Sequence, residues 1–331
     1  MSLKQLQFGT ALRILLQTAP ILLVRLGLYL LFWVAFLIYI AIVAGLAYLL
    51  GRIWEPLTVI ILLIALVATW PIYRLVNRYV FYLIKAAHLA VIAELLANGS
   101  LPPGASQLAW GKQQVTSRFG EVSAMFLVDE LVAGVVRTFT NMVVSFASWL
   151  PGDSFRTLAQ MAARVIRYAT HYIDEAILAR AFWRRDESVW QAAQEGVVLY
   201  GMVWKPLLVN AFALMLLSYV PFFVAFVLLA APIGFLLGSI SPLLGAWSIV
   251  FVLVLSLLVK VALGDSFAMI AMVAAYQRET MDKEPDPAME ARLASVSDRF
   301  IELKNRALAS VRPSQPQPVD RLPDLSQDNT P

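Results

Sequence analysis

The stretch that decides the fold is residues 206–259, PLLVNAFALMLLSYVPFFVAFVLLAAPIGFLLGSISPLLGAWSIVFVLVLSLLV, in which no side chain carries a charge. About 20 apolar residues suffice to span the hydrocarbon core of a bilayer, so this stretch is too long for one crossing. Turn-forming residues cluster in its middle, between Pro232 and Pro242. The pattern predicts a transmembrane helical hairpin with one helix over residues 206–231 and the other over residues 244–263.

Two further uncharged runs lie near the N-terminus. Between Arg25 and Arg52 no ionisable side chain other than tyrosine occurs, and this run predicts a first span over Gly27 to Leu50. The run between Glu55 and Arg74 predicts a second span, and Pro56 suits the first turn of its helix. These two spans form a first hairpin.

The composition agrees with a protein that has lipid as its solvent. Hydrophobic residues make up 60% of the chain and charged residues 15%, against about 45–50% and about 25% in soluble domains. The mean hydropathy is +0.72. We therefore expect an all-α, polytopic integral membrane protein with two transmembrane hairpins and four spans.

The distribution of basic residues predicts the orientation of the spans. Six basic residues adjoin the same ends of the first two spans: Lys4, Arg13, Arg25, Arg74, Arg78 and Lys85. The loop between these spans holds only Arg52, and the turn of the later hairpin holds no charge. Because cytoplasmic segments carry the excess of Lys and Arg, both termini and the central segment should be cytoplasmic. We expect a multi-pass cell-membrane protein of the bacterial inner-membrane type, with the lipid bilayer as partner; a net charge of +4 gives no reason to expect nucleic acid binding.

The segment between the hairpins, residues 79–204, carries charged residues on otherwise apolar helices. Residues 122–150 and 155–182 each place polar side chains at steps of three and four, which predicts amphipathic helices with a narrow polar stripe. Pro151 begins the turn that separates them. Such helices lie in the membrane interface or dip into the membrane, or they cross it and raise the count to six spans.

The chain divides into six segments. They are an amphipathic N-terminal helix (1–24), transmembrane hairpin 1 (25–78), an amphipathic or re-entrant segment (79–204), transmembrane hairpin 2 (205–264), cytoplasmic amphipathic helices (265–311) and a disordered tail (312–331). Ser188 and Gln191 form a capping-box pattern that starts a helix leading into the second hairpin. The tail is rich in proline and too poor in apolar residues to fold.

Charged side chains on the central helices and after the last span are the candidates for a polar path or an ion-pair cluster. They are Asp129, Glu130, Arg137, Arg164, Arg167, His171, Asp174, Glu175 and Asp265. Charges within a membrane protein tend to pair with one another or to face an aqueous cavity. Asp129 and Glu130 could pair with arginines of the following helix if the two helices fold back on each other.

Chemistry of other kinds finds little support in the sequence. A histidine beside carboxylates, as at His171, Asp174 and Glu175, could bind a divalent metal or relay protons. With two histidines and no cysteine in the chain, we predict neither a metal site nor a cofactor. The motifs of ATPases, dehydrogenases, zinc proteases and serine hydrolases do not occur, so we do not expect an enzyme.

Three functions stay open at this point. The first is a transporter-like or channel-like subunit, because charge-bearing helices lie between the two hairpins. The alternative is a membrane scaffold or bilayer-shaping protein that binds a partner, or a second copy, through the helix at residues 287–309. That helix begins at Asp286 and Pro287 and has a heptad-like apolar seam, which could equally pack on its own protein. A lipid-modifying membrane enzyme is the third, because intramembrane carboxylates can do acid–base work without a motif.

The C-terminal half resembles the choline-transporter-like family of membrane proteins. The resemblance rests on a helix ending at Phe182, a polar break at residues 184–188, the small residues Ala192, Ala193 and Gly196, a spanning hairpin, and Asp265 in the following helix. It covers residues 168–265 and implies a distant, permease-like ancestry. The chain departs from that family in its smaller number of spans and in having no Cys-rich external loop, and the resemblance assigns no binding residue here.

Overall fold

The computed structural model of the protein describes residues 7–120, 122–147 and 171–311, and these residues form helices and short connections without a strand. Arg164, Arg167, the predicted turn at Pro151 and the tail at 312–331 lie outside the described residues. The α-helices are α1 Phe8–Gln17, α2 Ala19–Gly51, α3 Pro56–Val76, α4 Tyr82–Asn98, α5 Gln107–Phe119, α6 Val122–Ala147, α7 171–183, α8 Val189–Leu217, α9 Val220–Ile240, α10 Pro242–Val259, α11 Asp265–Thr280, α12 Pro287–Val296 and α13 Asp298–Val311.

Four helical stretches in the described residues are long and apolar enough to cross a membrane. They are Ala19–Gly51, Pro56–Asn98, Val189–Ile240 and Pro242–Thr280. Their apolar side chains stay exposed: Leu66 and Val67 of α3 are each about 70% accessible. Exposed apolar surface on this scale marks contact with lipid or a partner. The described residues therefore have the expected all-α fold of a polytopic membrane protein, with four helical stretches that can span a membrane.

The spans pair as two hairpins that touch each other. In the first hairpin the Tyr39 hydroxyl of α2 donates to the Ala65 carbonyl of α3, at 2.9 Å. In the second hairpin Gly238 of α9 and Gly245 of α10 let the two backbones approach closely. The hairpins meet where the ring of Trp33 packs edge-on against a phenylalanine of α10, with 5.5 Å between the ring centroids.

The second hairpin starts and turns at other places than the sequence pattern predicts. Its first helix begins at Val220, because residues 206–217 continue α8 beyond a kink at Val203. Pro206, three residues after Val203, has no backbone N–H to donate to the helix. Its turn is at Ser241, and α9 runs through Pro232 without a break. In lipid, an interrupted helix would expose several unpaired backbone groups, whereas one internal proline costs a single hydrogen bond.

A layer of packed helices lies at one end of the hairpins, with α4 and α11 in its centre. Nearly every residue of Ile84–Leu95 in α4 and Ser266–Tyr276 in α11 is buried. The helices α1, α5 and α8 pack around this pair, and α13 packs on α6 and α8. The sequence predicts an amphipathic helix for residues 267–277, but residues 267–276 are all buried.

Each hairpin continues into this core through one π-helical turn. The turn π1, Asn77–Phe81, joins α3 to α4, and the turn π2, Lys260–Gly264, joins α10 to α11. A π turn inserts one residue into the helical register, and such turns occur frequently at functional sites. The two turns therefore set which side chains of α4 and α11 face each other below the spans.

The polar C-terminal region forms two helices instead of the predicted single helix at 287–309. The chain is extended at Ser297, whose hydroxyl accepts a hydrogen bond from the Phe300 amide at 3.3 Å and so starts α13. Four seam residues are buried: Leu293, Phe300, Leu303 and Ala307. The seam packs against α6 and α8 of the same chain. Within α12 and α13, the faces turned away from this seam are exposed and left for a partner.

Candidate functional site

A cavity of about 840 Å³ lies where the two hairpins meet the helical layer. Its wall includes both π turns, the inner end of α3, and residues of α2, α6, α7 and α11. The charged and tyrosine side chains of the wall are Arg25, Arg74, Arg78, Lys85, Glu130, Glu175, Asp265, His171, Tyr29, Tyr79, Tyr82 and Tyr172. A cavity with this many ionisable groups at the end of apolar spans is the best candidate for a functional site in the described part of the chain.

Lys85 of α4 forms the centre of the innermost charge cluster. Its ammonium lies 2.5 Å from the carboxylate of Glu175, which is almost fully buried on α7. Asp129 of α6 and Asp174 of α7 lie close enough to Lys85 and Glu175 to affect one another's charge. One lysine thus faces three carboxylates from two other helices.

The excess of carboxylates changes how the cluster titrates. Burial raises the pKa of Asp129 to about 6, and Lys85 offsets part of that rise. Burial also raises the pKa of Asp174, and the neighbouring charge of Asp129 adds to the effect. Because two charged carboxylates cannot both be compensated by one lysine, the cluster holds protons at pH values where an exposed aspartate has lost them.

A second network lies around Asp265, which also lines the cavity. The Lys260 ammonium contacts an oxygen of Asp265 at 2.5 Å, and the Tyr172 hydroxyl donates to the same oxygen at 2.7 Å. Lys260 is 3% exposed, so its charge depends on this carboxylate. The network connects the end of the second hairpin to α7.

Arg25 of α2 adjoins this network without a carboxylate of its own. Its guanidinium donates to the Ser266 hydroxyl at 2.8 Å and to the Tyr29 hydroxyl at 3.2 Å, and only 7% of the residue is exposed. The helix α2 is about 50 Å long at 1.5 Å per residue, longer than the hydrocarbon core. Its first turns therefore extend into the helical layer and bring Arg25 to the cavity.

The ligand atoms of His171, Asp174 and Glu175 lie within 4.8 Å of one another, a spacing that a metal ion could bridge. His171 Nε2 is 3.5 Å from Glu175. The Lys85 charge lowers the pKa of His171, which favours the neutral imidazole that a metal would need. Lys85 nevertheless holds the Glu175 carboxylate, so a divalent cation would have to displace the ammonium. The described residues fit an ion-pair cluster better than a metal centre.

The structure brings some of the candidate residues together and separates others. Glu130, His171, Glu175 and Asp265 line the cavity, and Asp129 and Asp174 adjoin it through Lys85. Arg137 lies about two turns further along α6, is exposed and does not line the cavity. The expected pairing of Asp129 and Glu130 with Arg164 and Arg167 involves residues outside those described.

Sequence reasoning missed the basic half of the site. Arg25, Arg74, Arg78 and Lys85 entered the sequence analysis only as markers of orientation, because basic residues at span ends are expected in any membrane protein. The only signal that sets them apart is their position at the same end of both helices of the first hairpin. Their convergence on one cavity depends on the π turn after α3 and on the length of α2.

Comparisons with protein-family models, curated proteins and solved structures find no match to the chain. The resemblance of residues 168–265 to the choline-transporter-like family therefore stays a prediction. Functional inference has to start from the cavity and its charges.

Proposed function

We propose that the protein is a transporter-like or channel-like membrane subunit and that the cavity is its substrate site or part of its path. The observation that carries the proposal is the position of the cavity, which lies between the first hairpin, the π turn at the end of the second hairpin and the helical layer. Turns of π-helix within α-helices occur frequently at functional sites. The two π turns, Asn77–Phe81 and Lys260–Gly264, both contribute to the wall.

The proposal includes an orientation. The helical layer and the cavity are on the cytoplasmic side, and the turns at Arg52 and Ser241 are outside, because basic residues adjoin the spans on the layer side. The natural absence of cysteine allows a direct test with single Glu55→Cys and Lys283→Cys variants. A membrane-impermeant thiol reagent on intact cells should label the first and not the second. The reverse pattern would invert the proposed topology.

Flux through reconstituted liposomes tests the function itself. The full chain should pass at least one probe, among K⁺, Cl⁻, protons and inorganic phosphate, faster than empty vesicles. Leu75→Trp, on the α3 wall of the cavity, should reduce that flux by roughly tenfold, because a bulky apolar side chain narrows the path. Leu66→Trp, on the exposed face of the same helix, is the matched control and should leave the flux unchanged. Flux indistinguishable from empty vesicles for all four probes would contradict the proposal.

The scaffold alternative requires an exposed surface that binds a partner. Its partner would have to bind the outer face of α13, where Glu302 pairs with both Arg299 and Arg306. Cross-linking in native membranes through a cysteine at Ile301, on this face, would capture a partner or a second copy if the alternative holds. Flux without any cross-linked partner favours the transporter-like subunit.

A further inference from the structure

The charges of the cavity wall do not balance within the described residues. Glu175 pairs with Lys85, and Asp265 pairs with Lys260. No ion pair to a carboxylate of the described residues occurs for Arg25, Arg74 or Arg78. Glu130 is the one wall carboxylate there without a basic partner. Beyond these two pairs, the wall residues include three arginines and one carboxylate, Glu130, while Asp129 and Asp174 adjoin Lys85 and are not part of the wall.

Arg25 gives the strongest indication of a ligand. Its side chain is more than nine-tenths buried, and its two hydrogen-bond partners, Tyr29 and Ser266, are neutral hydroxyls. A guanidinium has five N–H donors, of which these contacts use two. Burying a charge without an opposite charge is costly unless an anion arrives to compensate it. The cavity is the space from which such an anion can reach Arg25.

Arg74 and Arg78 line the same cavity as Arg25 and belong to the first hairpin and the π turn that follows it. They are four residues apart, at the end of α3 and in π1, and both line the cavity. The guanidinium of Arg78 stacks on the ring of Phe126, with 4.4 Å between its carbon and the ring centroid. Stacking uses the face of the guanidinium and leaves the N–H groups at its edge free for bidentate contacts.

We propose that the cavity binds a phosphate group through Arg25, Arg74 and Arg78. Phosphate offers several acceptor oxygens and the planar geometry of arginine matches them in pairs, which chloride or a small carboxylate cannot reproduce with three guanidinium groups. This inference rests on the proposed function and adds the ligand class of the same cavity. The phosphate could belong to a lipid headgroup, which would reach the cavity past the apolar wall residues Leu75 and Val261, or to a water-soluble phosphate ester.

Binding to the purified full-length protein, measured without any flux, tests this inference. One arm adds short-chain phosphatidylglycerol to delipidated protein in detergent and counts bound lipid by native mass spectrometry. The other arm titrates inorganic phosphate and glycerol 3-phosphate by calorimetry, with sodium chloride at matched ionic strength as the competing anion. Saturable binding in either arm is expected, and the arm in which it occurs identifies the source of the phosphate.

The variants connect binding to the cavity. The double variant Arg74→Gln/Arg78→Gln should weaken phosphate binding about 10- to 100-fold, since it removes charge-assisted hydrogen bonds to the ligand. Arg52→Gln/Arg292→Gln removes the same charge from two exposed positions away from the cavity and should change affinity less than about twofold. Because both pairs are exposed, neither should impair folding.

Three outcomes would overturn the inference: no saturable binding in either arm, displacement by chloride alone, or equal weakening by both double variants. The test is independent of transport. Phosphate binding without flux would leave the ligand class standing and contradict the proposed function. Flux without phosphate binding would support the proposed function and contradict the ligand class.

Discussion

At the scale of single residues, the cluster around Lys85 is governed by how few cations face its carboxylates. Among the described residues, Lys85 and His171 are the bases in contact with Glu175, and Asp129 and Asp174 compete for the charge of Lys85. Charges buried in this way are expensive unless they are paired or protonated. Burial raises the pKa values of Asp129 and Asp174, and the shortage of cations leaves that rise only partly offset. The raised pKa values make the stability of the cluster depend on pH.

Replacing Asp129 by asparagine should remove part of this pH dependence. The folded protein holds the Asp129 proton up to a pKa of about 6, whereas an unfolded chain loses it near pH 4. Between these values the folded state binds more protons, so the contribution of Asp129 to stability should fall as pH rises from about 4 to about 6 and stay level above that range. Asp129→Asn should abolish that part of the decline, about 1–3 kcal/mol at about 1.4 kcal/mol per pKa unit.

Thermal unfolding in detergent across this pH range measures the effect of Asp129→Asn. Asp282→Asn, in the exposed connection after α11, is the control and should keep the decline. Identical pH profiles for the wild type and Asp129→Asn would show that Asp129 does not hold the extra proton.

At the scale of elements, the π turns decide where α4 and α11 point. Gly264 ends the second turn at a place where a Cβ atom would collide with the Ser218 carbonyl, between α8 and α9. The close approach brings the end of the second hairpin onto the corner that precedes it. Lys260, at the start of this π turn, and Asp265, just after it, are in contact across the turn.

Gly264→Ala should therefore destabilise the protein by about 2–3 kcal/mol, because the backbone at Ser218 cannot retreat as a flexible side chain can. Gly234→Ala is the matched control in a helix of the same hairpin. Its nearest neighbour, the Ser248 hydroxyl, would be at an ordinary 3.8 Å, and alanine favours helix over glycine. Thermal unfolding of the two variants in the same detergent compares them. Equal stabilities would argue against the tight contact at Gly264.

At the scale of the whole molecule, the helical layer and the spans differ in where their apolar side chains lie. The layer buries a shared core centred on α4 and α11, while the spans leave most of their apolar surface to lipid. The helix α13 closes the outer side of the layer, where Phe300 is fully buried and Ile301 is 43% exposed. The layer should therefore depend on α13 for its stability.

Phe300→Ala should cost about 3–5 kcal/mol, the usual loss for a buried aromatic ring that leaves a cavity. We expect a lower unfolding temperature in detergent and faster proteolysis of the C-terminal region. Ile301→Ala, one residue further and on the exposed face, should change the unfolding temperature little. A large effect of Ile301→Ala would mean that the outer face of α13 is also covered, by a second copy or a partner.

The sequence by itself determined the class of fold. Uncharged runs such as residues 206–259 have no stable place in water, so the membrane, the helices and the four spans follow from composition and length. The sequence also predicted features that depend on one helical turn. The helix start at Ser188 is confirmed, since its hydroxyl accepts a hydrogen bond from the Gln191 amide at 3.1 Å. The turn predicted to begin at Pro232 was wrong, because a helix in lipid keeps its backbone hydrogen bonds and α9 continues to Ile240.

Only the tertiary structure decided which charges meet. Lys85 and Glu175 are 90 residues apart in the sequence, and Arg25 and Ser266 are 241 apart. No periodicity in the sequence relates such pairs, since each contact depends on helix lengths, on one-residue π turns and on close packing at Gly264. Residue types fix how costly a buried charge is, but the packing of helices from distant parts of the chain fixes which group compensates it.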